Sequence, residues 1–172
     1  MKHLIWAGSL AFAMHSTAAP LEECPTEAFL IQGNPAQVFS VDLSTGAYRS
    51  LSTNTGAAKN LNAFAFSTHD NFLYGWDKIE QTMFRMGEDY QIEHLSLANP
   101  LNGNYYVGDV SLTENAYYIY RKGSNALHGL WRISLDSNSS DYLNPQRIAN
   151  GSTMYLNIYD FAFHPDLSLI HI

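Results

Sequence analysis

The chain has 172 residues, 46% of them hydrophobic and 15% charged, a composition typical of a globular protein with one sizeable core. Sixteen acidic residues against nine Lys and Arg give a net charge of −7, and the basic residues form no cluster along the chain. These features exclude binding to nucleic acid through phosphate neutralisation and electrostatic docking on an anionic membrane.

Residues 1–19 have the pattern of a signal peptide. Lys2 and His3 precede an apolar run over residues 4–14, and the small residues at 16–19 suit a signal peptidase. The run is too short to span a membrane, and no later segment reaches the roughly 18 apolar residues of a transmembrane helix. We expect an exported mature chain, secreted, periplasmic or at the cell surface, without membrane insertion.

Cys24, the single cysteine, lies near the start of the expected mature chain. In an oxidising compartment a cysteine is expected to have a partner. Cys24 therefore pairs between chains, stays free, or has its partner in a part of the protein that this sequence lacks.

Short β-type runs separated by turn residues follow, without the period of an amphipathic helix. The first runs are predicted at residues 28–32, 38–43 and 48–51, with a hairpin turn at 44–46. Strands are also predicted at residues 82–86 and 130–133, with weaker ones at 92–95 and around 142–148, since polar edge strands give a weak signal.

Three stretches of the chain are versions of one another, at residues 61–76, 106–120 and 157–166. The first two superpose at a shift of 44 residues and the third follows at 53, spacings typical of one β-propeller blade per repeat. We predict an all-β fold, a β-propeller fragment of about three four-stranded antiparallel blades in an incomplete ring.

The third copy is interrupted after residue 166, where the repeat requires a turn and an aromatic strand. The chain instead ends in Leu-Ser-Leu-Ile-His-Ile, the translation of CTG-TCT-CTT-ATA-CAC-ATC, which resembles a transposon-end sequencing adapter. We expect a partial propeller over residues 20–166 and a non-native tail over 167–172. The alternative is a natural, apolar terminal strand.

The repeat motifs resemble a bacterial family. The Cys-Pro pair at 24–25, the Val-Asp-Leu-Ser-Thr-Gly turn at 41–46, the Asn-Ala-Phe-Ala-Phe repeat at 62–66 and the Asp-Phe-Ala-Phe-His-Pro stretch at 160–165 are similar to a propeller domain of unknown function. That domain occurs in large exported proteins, often before adhesin-like repeats or surface-attachment segments. The resemblance implies a secreted ring without established catalytic residues, closed by a disulfide from Cys24 to a C-terminal half.

The sequence has no catalytic, phosphate-binding or metal-binding motif, so we predict no cofactor and no metal. Asp109 and Asp160 lie on predicted innermost strands, where a carboxylate could bind a ligand; the alternative is capping of backbone amides between blades. Tyr106 and Tyr159 could belong to a tyrosine platform for sugar rings. The alternative for these tyrosines is packing between blade sheets.

The predicted function is a binding or interaction module for a protein or glycan ligand, in adhesion at the bacterial surface or in a secreted protein. The alternative is a propeller-type hydrolase, a lactonase or glycan-active enzyme, with Asp109 and Asp160 in the central funnel. A purely structural spacer is a third possibility.

Overall fold

The computed structural model describes residues 18–22, 27–154, 156–164 and 170–171. The predicted signal peptide up to residue 17, Cys24 and most of the predicted tail therefore lie outside the described residues.

Every regular element in the described part of the chain is a short β-strand. The strands are β1 (Ala28–Gln32), β2 (Gln37–Val41), β3 (Tyr48–Ser52), β4 (Leu61–Phe66), β5 (Leu73–Asp77), β6 (Thr82–Met86), β7 (Ile92–Leu95), β8 (Val107–Val110), β9 (Ala116–Arg121), β10 (Gly129–Ser134), β11 (Gln146–Asn150), β12 (Phe161–Ala162) and β13 (Ile170–His171). The predicted strands are thus present, and the weakest of them, expected around 142–148, lies slightly later as β11.

Consecutive strands pair into separate antiparallel sheets. Sheet I has the order β1-β2-β3, sheet II β4-β5-β6-β7, and sheet III β8-β9-β10-β11, while β12 pairs with β13. None of these sheets closes into a barrel within the described ranges. The predicted all-β fold of a propeller fragment is therefore confirmed, since small four-stranded antiparallel sheets repeated along the chain are its building blocks.

The first strand of each repeat lies next to the first strand of the following one. β4 packs against β8, and β8 packs against β12. In β4 the buried residues Leu61, Ala63 and Ala65 alternate with half-buried ones, the two-residue period of a strand with unequal faces. All five residues of β5 are buried, because this central strand has neighbours on both edges and both faces.

The largest core lies between sheets II and III and is rich in aromatic side chains. Trp76, Tyr105 and Tyr117 are fully buried in it. The Trp76 indole N–H donates to the Gly103 carbonyl at 2.8 Å, and its ring meets Tyr105 edge to face at 4.9 Å between centroids. These three aromatic side chains thus pack between the two sheets, where an aromatic side chain buries a large apolar area.

A β-bulge in β4 carries the polar contact between these two sheets. The register with β5 shifts between Asn62 and Ala65, and Ala63 adopts a positive φ of 53°. The fully buried Tyr117 hydroxyl on β9 donates to the Ala63 carbonyl at 2.5 Å. Gly108 makes room for this bond, because a Cβ there would lie 2.9 Å from the Tyr117 hydroxyl oxygen.

Replacing Tyr117 by phenylalanine leaves the Ala63 carbonyl buried without this donor. We expect Tyr117→Phe to lower the free energy of unfolding by about 1–3 kcal/mol, measured by denaturant titration. Tyr118→Phe is the matched control, since the Tyr118 hydroxyl meets the Glu114 carboxylate at 3.1 Å at the surface. Its loss should stay below about 0.5 kcal/mol; equal losses in the two variants would contradict the inter-sheet role of Tyr117.

Candidate functional site

A pocket of about 420 Å³ opens between sheet III and the segment that leads into β12. Tyr106, just before β8, contributes to its wall, as do Arg121 at the end of β9 and Lys122 just after it. The incoming segment contributes Asn157 and Tyr159. The volume lies at the lower end of the roughly 300–1,000 Å³ typical of small-molecule sites. The structure thus brings both predicted binding tyrosines, Tyr106 and Tyr159, to one pocket.

The floor of the pocket is fixed by Tyr120, a buried residue of β9. Its hydroxyl lies 2.8 Å from the Met154 carbonyl and 3.0 Å from the Leu156 carbonyl, and it accepts the Leu156 N–H at 3.0 Å. The hydroxyl therefore anchors the incoming segment to sheet III. Because its hydrogen-bonding capacity is used there, Tyr120 supplies an apolar surface to the pocket.

Tyr106 and Tyr159 lie on the rim of the pocket, and these two rim tyrosines are more exposed than the other tyrosines compared with them. Tyr106 is 54% exposed and Tyr159 is 83% exposed, whereas Tyr105, Tyr117 and Tyr120 are buried. Packing between sheets therefore accounts for the buried tyrosines and leaves the two rim rings facing solvent.

A lysine of the preceding sheet covers the Tyr106 ring. The Lys78 ammonium lies 4.4 Å from the ring centroid, a cation–π contact. Lys78 follows β5 in the chain as Lys122 follows β9, so both lysines lie at the same end of their sheets. The Lys122 ammonium, however, donates to the Asn157 Oδ1 at 2.5 Å.

Two cationic side chains face the pocket without a carboxylate partner. Among the described residues, the ion pairs involve other basic side chains, so neither Arg121 nor Lys122 has a carboxylate within ion-pair distance. His128 also lines the pocket, but burial, reinforced by the charge of Arg121, lowers its pKa and favours the neutral ring. The pocket therefore carries positive charge in a chain that is acidic as a whole.

The predicted carboxylates Asp109 and Asp160 do not line the pocket. Asp109 accepts the N–H groups of Val110 and Phe163, each at 2.9 Å. The second bond ties β8 to the residue that directly follows β12. Asp160 is exposed and accepts the Phe161 N–H at 2.9 Å. The Asp109 contacts are those of a cap on backbone amides between blades.

The pKa of Asp109 is raised above its ordinary value of 3.8. Burial is the main cause, the nearby charge of Asp160 adds to it, and the hydrogen bonds from Phe163 and Val110 oppose it. Burial of the carboxylate thus outweighs its two amide bonds.

The turn at the centre of the clearest repeat connects sheets II and III. The His69 Nε2 lies 3.0 Å from the Ser111 carbonyl, and Asp70 accepts the Tyr74 hydroxyl at 2.6 Å. These two side chains thus act within the turn and across the sheet interface.

Sequence reasoning missed the basic side of the pocket. Lys122 follows Lys78 at 44 residues, the shift that relates the first two copies, and Asn157 follows Asn104 at 53, the shift of the third. The repeat spacing therefore contains this signal, at positions just beyond the ends of β5 and β9.

Within the described ranges, no group of three or more His, Cys, Asp or Glu side chains is arranged to hold a metal ion. The same part of the chain contains no helix with the length and apolarity needed to cross a membrane.

Comparison with known proteins gives a family and a structural neighbour. Residues 29–168 match a family described as a repeat of unknown function (DUF6923). The solved structure of Kuenenia stuttgartiensis hydrazine synthase is similar with a TM-score of 0.46 and 14% identity, covering 96% of this chain and 45% of that one. The chain thus spans less than half the length of that protein. No curated protein matches the chain.

A pH titration of the Asp109 carboxyl tests whether burial and the charge of Asp160 raise its pKa. Because its pKa is raised in the folded state, its contribution to stability is full below about pH 3.8 and declines as the pH rises through the folded value. NMR titration of side-chain carboxyl carbons should give a midpoint above 3.8 for Asp109. Asp160→Asn should move that midpoint down, whereas Glu114→Gln should leave it unchanged; an unaltered midpoint in Asp160→Asn would contradict the coupling.

Proposed function

The chain belongs to a family of repeats of unknown function, and we propose that it is a β-propeller-type binding module whose ligand enters the pocket between Tyr106 and Tyr159. The module is exported and acts at the bacterial cell surface or in a secreted protein, in contact with a glycan or protein ligand. The signal-peptide pattern of residues 1–19 supports export.

The observation that carries this proposal is the exposure of two large aromatic rings on one pocket. A tyrosine offers an apolar face and a polar tip, so an exposed pair suits a ligand that is partly apolar and partly hydroxylated. Tyr106 and Tyr159 occupy the same position in successive repeats, 53 residues apart. The buried tyrosines of the same repeats supply the packing, so the exposed pair is available for recognition.

The hydrolase alternative has less support from the geometry. It requires a carboxylate that can reach a substrate, and the candidate with a perturbed pKa is Asp109. Both oxygens of that carboxylate accept backbone N–H groups, one of them from Phe163 in the next repeat. Asp109 therefore serves to connect sheets, and we propose a binding module without catalysis.

Loss of the most exposed ring tests the proposed function. The purified chain is applied to arrays of glycans and peptides, and Tyr159→Ala should abolish the binding seen with the wild type without changing the unfolding midpoint, because the side chain is 83% exposed. Tyr48→Ala is the matched control, since Tyr48 is 74% exposed on sheet I, away from the pocket. Wild-type binding that persists in Tyr159→Ala, or no binding on either array, would sink the proposal.

A further inference from the structure

The charge of the pocket narrows the ligand class. We propose that the pocket binds an acidic saccharide, with a sugar ring lying on the face of Tyr159, beside Tyr106, and its carboxylate facing Lys122 and Arg121. This inference rests on the proposed function, since it assigns a chemical class to the ligand of the same pocket.

The first argument is charge complementarity. The chain carries a net charge of −7, yet two cationic side chains line this pocket with no carboxylate at ion-pair distance among the described residues. Three arginines elsewhere in the described residues have carboxylate partners: Arg49 meets Glu27 at 3.1 Å, Arg85 meets Glu93 at 2.8 Å, and Arg132 meets Asp141 at 2.8 Å. Arg147 instead donates to the Ala126 carbonyl and lies over the Trp131 ring. A ligand carboxylate would supply the anion that Arg121 and Lys122 lack, through charge-assisted hydrogen bonds.

The second argument comes from comparing two equivalent places in the repeat. Lys78 covers the Tyr106 ring at 4.4 Å, so at that place an ammonium occupies the aromatic face. One repeat later Lys122 bonds to Asn157 instead, and Tyr159 remains exposed. The ammonium and the free ring face thus line the same pocket, which suits a ligand that has an apolar ring face and an acidic group.

The third argument favours a sugar over a flat anion or an extended peptide. The C–H face of a pyranose packs on a tyrosine ring while its hydroxyls reach polar tips such as those of Tyr106 and Tyr159. The amide of Asn157 adds donors and an acceptor beside Lys122. The floor, in contrast, is apolar, because Val107 is buried there and the Tyr120 hydroxyl is used by Leu156.

Calorimetric titration of the 172-residue chain with three probes tests the inference: a galacturonic acid trimer, the neutral galactose trimer and hexaglutamate. The acidic trimer should bind saturably and at least about tenfold more tightly than the neutral trimer, as one charge-assisted contact implies. Its affinity should also fall as salt is raised.

Two charge variants complete the design. Lys122→Gln should weaken binding of the acidic trimer about tenfold or more and leave the neutral trimer unchanged. Lys59→Gln removes the same charge from an exposed position on the loop before β4 and should bind as the wild type does. Both lysines are exposed, so neither substitution should shift the unfolding midpoint.

Three results would overturn the inference: equal affinity for the acidic and neutral trimers, no saturable binding of the acidic trimer, or preference for hexaglutamate. Neutral-trimer binding that is as tight as that of the acidic trimer, and that Tyr159→Ala abolishes, would overturn the acidic class while the proposed function stands. Failure of all three probes together with empty glycan and peptide arrays would overturn both.

Discussion

The hydrogen bond from the Tyr117 hydroxyl to the Ala63 carbonyl fixes how two successive sheets meet. The bulge in β4 turns this carbonyl out of the regular ladder, in the middle of an apolar interface where an unpaired acceptor is costly. Gly108 provides the space, so β4 and β8 approach closely. Because β8 is held there, the residues just before it, including Tyr106, are positioned at the end of the sheet where the pocket opens.

The pocket lies at a junction between repeats, where the end of the second strand of one repeat meets the start of the first strand of the next. It exists because one contact at this junction differs from the contact at the junction before it. The first two copies place a lysine after their second strand, and the two later copies place a tyrosine before their first. Where the lysine covers the tyrosine of the next repeat, as Lys78 covers Tyr106, the junction is filled. Where Asn157 holds the lysine, the ring is uncovered and a cavity of about 420 Å³ remains.

The strands and their grouping into sheets follow from the sequence, because two-residue alternation, turn residues and a 44-residue shift are all local or periodic signals. The β4 bulge does not follow from it, since nothing at Asn62 or Ala63 marks an extra residue in the pairing. The sequence also does not predict which tyrosines are buried and which are exposed, because Tyr105 and Tyr106 are adjacent and chemically identical. Only the three-dimensional neighbours, Trp76 for one and Lys78 for the other, distinguish them.

The contact of the repeat lysine differs between the two junctions, since Lys78 lies over Tyr106 whereas Lys122 bonds to Asn157. This difference has a consequence for how such proteins diversify. Lys122, Asn157 and Tyr159 are exposed, so exchanging them leaves the aromatic core around Trp76 and Tyr117 untouched. Under the proposed function, a duplicated repeat can therefore acquire a new ligand specificity at one junction without a change in the neighbouring repeats. A new ligand specificity would then arise at the boundary between two copies. A chain with several copies has several such boundaries, each of which can change independently.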